Sequence, residues 1–219
     1  MDYTPNSLDS IPAASRLSVM PIGDSRTAGN GSTVRGGYKL GLFQKLQSRL
    51  GYAPRFTGSN AVATCFLPNC ATSGYTAAQI LSAVQTQSPL FPTTNVYLLD
   101  AGTNDVIAGT AASTIVTTVL AIEAQIRTDN PSATVFIANL YDRSGSSAGI
   151  TAFNSALATG VAGLSNYSST PTAGKTMFYN QYSVLGPYSV TYWGDVTHLN
   201  AAGYNLAADG WFNQIAAVY

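Results

Sequence analysis

Arg16-Leu17-Ser18-Val19-Met20-Pro21-Ile22-Gly23, running on into Asp24-Ser25-Arg26-Thr27-Ala28-Gly29, is where the fold declares itself. A short apolar run that stops at glycine reads as a buried strand handing over to a turn. Downstream, residues 36–50 place Tyr38, Leu42, Phe43, Leu46 and Leu50 at helical spacing, and Gly51 ends the segment. The same two patterns then alternate. Strands are expected at 55–58, 95–99, 133–140 and 175–182, and helices at 76–84, 113–127, 148–164 and 200–218. Such alternation predicts an α/β protein, a three-layer α/β/α sandwich around a central five-stranded, mostly parallel sheet of flavodoxin-like topology. No repeat or linker divides the chain, so residues 16–219 read as a single domain. Residues 1–15, with Pro5, Pro12 and several serines, read as an irregular lead-in.

The chain has 219 residues, of which 46% are hydrophobic and only 9% charged, against a usual share of about 25% charged. Ten basic residues balance ten acidic ones. Nucleic acid and anionic membrane both demand clustered Lys and Arg, so neither is an expected partner. No run approaches the ~18 apolar residues of a membrane span. A surface built from Ser, Thr, Asn, Gln and Tyr suits an extracellular protein. The start MDYTPNSLDS has neither a basic nor an apolar region of a signal peptide, so the protein is either cytosolic or secreted with the sequence starting after processing; with this surface, the secreted form is the expectation. A monomer is expected. Cys65 and Cys70 flank four residues and read as a small disulfide loop, with two free thiols as the alternative. Two cysteines and one histidine are too few for a four-ligand zinc site without a distant carboxylate, and no metal or cofactor is expected.

In an open parallel sheet, sites lie beyond the carboxyl ends of the strands. Three loops there hold chemistry. After the first strand, Asp24-Ser25 puts a hydroxyl at a strand-to-helix turn. No G-x-G-x-x-G follows the strand; Gly31 to Gly36 has P-loop spacing, but Gly37 stands where lysine must be. Phosphate binding drops out, and Ser25 remains as a nucleophile, or the loop is a plain turn in which Asp24 or Ser25 caps the helix. After the third strand, Asp100-Ala101-Gly102-Thr103-Asn104-Asp105 offers the Asn104 amide to a developing oxyanion, or forms an ordinary turn. Near the end, Asp195-Val196-Thr197-His198 contains the only histidine. A turn over that spacing lets the carboxylate hold the imidazole Nδ1–H. Nucleophile, oxyanion donor and Asp–His pair on one sheet edge are the parts of an acyl-transfer site.

These blocks resemble, in order, those of the SGNH hydrolases, also called GDSL esterases: Gly23-Asp24-Ser25-Arg26, Ser73-Gly74-Tyr75-Thr76, Gly102-Thr103-Asn104-Asp105, and Asp195-Val196-Thr197-His198. The resemblance implies a serine esterase working through an acyl-enzyme, with Ser25, His198 and Asp195 as the triad and Ser25, Gly74 and Asn104 around the oxyanion. Gly37-Tyr38-Lys39-Leu40, Phe56-Thr57-Gly58-Ser59 and Gly74-Tyr75-Thr76 look most like small carbohydrate esterases such as the family 3 acetyl xylan esterases. A polysaccharide or small-molecule acetyl ester is then the expected substrate. A lipid-ester or thioester hydrolase of the same fold is the rival reading, and a non-catalytic carbohydrate-binding relative the other. Three positions depart from the family pattern: Arg26 stands where an apolar residue is usual, Leu199 where proline is common, and the Cys65–Cys70 segment precedes the second block. Arg26, Tyr192 and Trp193 are candidate substrate contacts. Arg26 paired with Asp105, and the aromatics including Tyr188 packed on the core, are the structural alternatives.

Overall fold

The computed structural model describes residues 16–32, 36–51, 53–58, 60–62, 65–87 and 94–219. Among these residues seven strands form one sheet: β1 Arg16–Gly23, β2 Ala53–Phe56, β3 Asn60–Val62, β4 Cys65–Ala71, β5 Val96–Asp100, β6 Thr134–Ala138 and β7 Thr176–Tyr179. Their order is β3-β4-β1-β5-β6-β7, with β2 beside the first half of β1. All neighbours run parallel except β3 and β4.

Alternation along the central strands explains why helices cover both faces. Met20 and Ile22 of β1, Tyr97 and Leu99 of β5, and Val135 and Ile137 of β6 enter one core. Leu17 and Val19, Val96 and Leu98, and Phe136 and Ala138 enter the other. Both faces are therefore apolar, and β5 and β6 are buried at every position, as parallel sheets require. The first core is closed by α3 Ala77–Gln87, α5 Ala112–Asp129 and α6 Ser147–Ala162, through Ile80, Ile122 and Phe153 among others. The second is closed by α2 Tyr38–Leu50 and α8 Ala201–Ala216, through Leu42, Leu46, Trp211 and Ile215. Among the described residues no helix is long and apolar enough to cross a membrane.

The sandwich matches the sequence expectation, but the sheet is wider than five strands. The addition is the β3–β4 arm, whose last residues join β1 only at Ile22↔Cys70 and Gly23↔Ala71. Pro68 and Asn69 interrupt its apolar pattern, so it shows no strand period. The expected Cys65–Cys70 disulfide involves the Cys65 side chain, which lies outside the described residues.

The chain leaves β1 towards β2 and β4 on one side and returns to β5 on the other. The loops after β1 and β5 therefore splay apart at the carboxyl edge, which opens a crevice at this switch point.

Candidate active site

Three short helices complete the element order: α1 Ser25–Ala28, α4 Thr103–Ile107 and α7 Tyr182–Leu185. Asp24 caps α1, its Oδ1 accepting the Arg26 N–H at 3.0 Å, and this sets Ser25 as the first helical residue. The far end of α1 is held by Lys39 of α2. Its ammonium is fully buried and donates to the Thr27 carbonyl and, at 3.1 Å, to the Ala28 carbonyl, where a cation suits a helix C-terminus. Beneath Ser25 lie two buried carboxyls. Burial pushes Asp24 up against the opposing Arg26 charge, and burial with the Asp24 charge pushes Asp100 up to about 7.

His198 approaches from the loop before α8. Trp193 and Leu199 form an antiparallel bridge that pinches this loop shut, and the Gly194 N–H and Asn200 N–H donate to the His198 and Tyr192 carbonyls at 2.9 and 3.0 Å. Inside, Asp195 Oδ1 accepts the N–H groups of Thr197 and His198, both at 2.7 Å. Its Oδ2 faces His198 Nδ1 at 2.8 Å. A carboxylate only accepts, so Nδ1 holds the proton and Nε2 is the acceptor. Nε2 lies 2.9 Å from Ser25 Oγ. Burial would raise Asp195, yet the bonds from the His198 ring and from the two backbone N–H groups outweigh it and hold the carboxyl below its ordinary value. Ser25 is 5% exposed, so its hydroxyl sits at the floor of the crevice. The arrangement can draw a proton from a hydroxyl and return it to a leaving group.

The loops after β4 and β5 come to the same place through a run of hydrogen bonds. Asn30 N–H donates to the Ser25 carbonyl at 2.9 Å, Ser73 Oγ donates to Asn30 Oδ1 at 3.1 Å, and Asn104 Nδ2 donates to the Tyr75 carbonyl at 2.8 Å. Gly74 lies between these two anchors at φ +82°, with no heavy atom within 4 Å of where a Cβ would stand. An amide nitrogen has two hydrogens, so Asn104 keeps one beyond its bond to Tyr75. Asp105 is occupied separately, accepting the Ala77 N–H that opens α3 at 2.8 Å. Among the described residues no group of three or more His, Cys, Asp or Glu stands together as a metal site.

Two expected substrate contacts are corrected. Arg26 is 1% exposed, with its guanidinium on three backbone carbonyls, so it neither reaches into the crevice nor pairs with Asp105. Trp193 is 4% exposed and packs 5.4 Å from Tyr188, because it is one of the two residues closing the His198 loop. Tyr192 is half-buried and stays a candidate. Sequence reading missed Lys39, whose place between Tyr38 and Leu40 in a helical pattern gave it no sign of burial. It also missed Gly31. At φ +82°, a Cβ on Gly31 would stand 2.6 Å from the Leu199 carbonyl oxygen and 2.9 Å from His198 Cβ. Gly31→Ala is therefore expected to push His198 off Ser25 and lower kcat by about 10–100-fold, since a 1 Å misplacement at reacting groups has that effect. Turnover per active site, titrated with a phosphonate ester, checks this; an unchanged kcat would show that the loop absorbs the push.

The model of the GDSL-like lipase/acylhydrolase family matches residues 22–206. No curated protein sequence matches the chain. Among solved structures, a Clostridium thermocellum family 3 carbohydrate esterase is similar at 25% identity over 90% of this chain and 94% of its own, with a TM-score of 0.71. An acetyl esterase mutant with acetate ion is similar at 22% identity, covering 91% and 96%, with a TM-score of 0.72. A carbohydrate esterase family 3 protein from Talaromyces cellulolyticus is similar at 21% identity, covering 91% and 96%, with a TM-score of 0.73. The last two, below 25% identity, speak for the fold alone.

Proposed function

Since the chain belongs to the GDSL-like lipase/acylhydrolase family and is a carboxylic ester hydrolase, we propose that Ser25 is its nucleophile, His198 its general base and Asp195 the group that orients His198. The observation that carries this reading is the unbroken relay from Ser25 Oγ to His198 Nε2 and from His198 Nδ1 to Asp195 Oδ2, at 2.9 and 2.8 Å. Ser25 Oγ adds to the ester carbonyl as its proton passes to Nε2. The tetrahedral oxyanion lies against the Ser25 N–H, the Gly74 N–H and the Asn104 amide. The C–O bond to the alcohol breaks as Nε2–H protonates the leaving oxygen. Water then adds to the acyl-enzyme with His198 again as base, and collapse returns Ser25 and a carboxylic acid. The lowered Asp195 carboxyl stays ionised and supports the imidazolium in both halves.

The acyl group proposed is short, and the alcohol a carbohydrate hydroxyl. Support comes from the likeness to the Clostridium thermocellum family 3 carbohydrate esterase and from a chain with only 9% charged residues, which suits a neutral polyhydroxylated substrate. Tyr192, beside the His198 loop, is the proposed sugar contact. Secretion and a monomeric state complete the reading. Its test is the rate on p-nitrophenyl esters from acetate to palmitate. Acetate and propionate are expected to lead, with kcat/KM down at least tenfold by octanoate, as a pocket shaped for a few carbons excludes longer chains. Release of acetate from acetylated xylan should follow. A maximum at long chains would move the reading to lipid esters.

A further inference from the structure

We infer that Arg26 is a positioning residue for the general base: a strut that fixes the gap between the nucleophile loop and the peptide carrying His198. The inference rests on the reading of Ser25 and His198 given above. Arg26 follows Ser25 directly in the chain, so its backbone moves with the nucleophile. Its buried side chain passes beneath the crevice, and Nε–H donates at 2.9 Å to the carbonyl of Thr197, the residue bonded to His198. Both ends of the Ser25–His198 hydrogen bond are therefore joined a second time, through one rigid guanidinium.

The remaining donors brace the strut sideways. Nη1–H and Nη2–H donate to the Tyr141 and Asp142 carbonyls at 3.1 and 3.0 Å, and the guanidinium carbon lies 6.0 Å from the centroid of the Tyr141 ring. That segment grips the His198 loop in turn. Arg143 Nε–H donates to Thr197 Oγ1 at 3.2 Å, and the Ser144 N–H donates to the Val196 carbonyl at 3.2 Å. Thr197 is thus held from two directions by two arginines. Only arginine presents donors in a planar fork that can serve carbonyls from separate loops at once; a lysine ammonium on the same stem is a point charge. The full burial of Arg26 removes any competing role as a surface contact. Its charge also faces the buried Asp24 and Asp100 carboxyls, which supplies a rival, purely structural account that the test must separate.

The test is a double-mutant cycle on p-nitrophenyl acetate hydrolysis. Arg26→Leu is expected to lower kcat about tenfold or more with KM within twofold, because geometry at the reacting atoms is lost while substrate binding is not. Placed in the His198→Ala background, the same substitution should change the residual rate by less than about twofold, since residues acting as one unit are not additive. Arg26→Lys keeps the cation opposite Asp24 and Asp100 but not the fork; it is expected to stay folded and to lose kcat as Arg26→Leu does. If Arg26→Leu does not fold, the same cycle is run with Arg26→Lys. Unchanged kcat in a folded Arg26 variant, full recovery by lysine, or an equal fold-loss with and without His198 would each overturn the strut. A wild-type kcat in His198→Ala would instead overturn the assignment of His198, and the strut with it, so the two failures are distinct.

Discussion

Ser25→Ala is expected to lower kcat on p-nitrophenyl acetate by about 10⁴–10⁶-fold, and His198→Ala by a comparable factor. Removing Oγ removes the atom that forms the acyl-enzyme. Removing the imidazole leaves Ser25 at its ordinary, weakly nucleophilic ionisation. Combining the two should cost little more than either alone, because each depends on the other. Stability should hardly follow activity. The Ser25 hydroxyl has one side-chain bond, to His198, and the position of Ser25 is set by the Asp24 cap and the Lys39 ammonium, which neither substitution touches. Thermal melting within a few degrees of wild type, beside a near-complete loss of turnover, is the expected pair of results. Full turnover by a folded Ser25→Ala protein would remove the nucleophile from this reading.

Asn104→Ala is the second large effect. Loss of one oxyanion donor reduces kcat by about 10²–10³-fold, and here the substitution does more than delete a donor. The Asn104 amide also holds the Tyr75 carbonyl, next to the Gly74 N–H proposed as its neighbour in the hole. Two donors are therefore disturbed by one change, and the upper end of that range is expected. Asn104→Asp provides the contrast. It preserves the size of the side chain but replaces the donor by an acceptor that repels both the oxyanion and the Tyr75 carbonyl, so it should be no better than alanine. The check is kcat and KM for both variants, with KM moving far less than kcat. Near-normal kcat in Asn104→Ala would take Asn104 out of the hole.

Much of this architecture was open to sequence reading for a physical reason. Strands buried on both faces become continuous apolar runs, as at 95–99 and 133–140, and amphipathic helices show their period in the sequence. The candidate blocks at Ser25, Gly74 and Asn104 were readable because each sits just past a strand, where turn chemistry limits the residues used, and the Asp195–His198 pair because its spacing fits a single turn. What stayed hidden depends on partners far along the chain. The β3–β4 arm is tied to β1 by two residue pairs, too little to impose a pattern. Arg26 beside the nucleophile looked like a substrate contact because its carbonyl acceptors lie 115, 116 and 171 residues away. Trp193 read either as a ring for stacking or as packing for its own loop, since nothing nearby in the sequence reveals its bridge to Leu199. Lys39 is the same case: a charge is tolerated in a core only where acceptors converge, and those acceptors belong to another helix.

The pinched loop from Trp193 to Leu199 has a consequence for how the site tolerates motion. Asp195 and His198 are closed into one ring of hydrogen bonds with their own backbone, so thermal breathing of the crevice carries them together as a single body. The Nδ1–H tautomer of the imidazole is then kept when the loop shifts, because its carboxylate acceptor shifts with it. The Arg26 guanidinium on the Thr197 carbonyl ties this ring to the loop that carries Ser25, so a displacement of either loop carries the proposed base and the proposed nucleophile together.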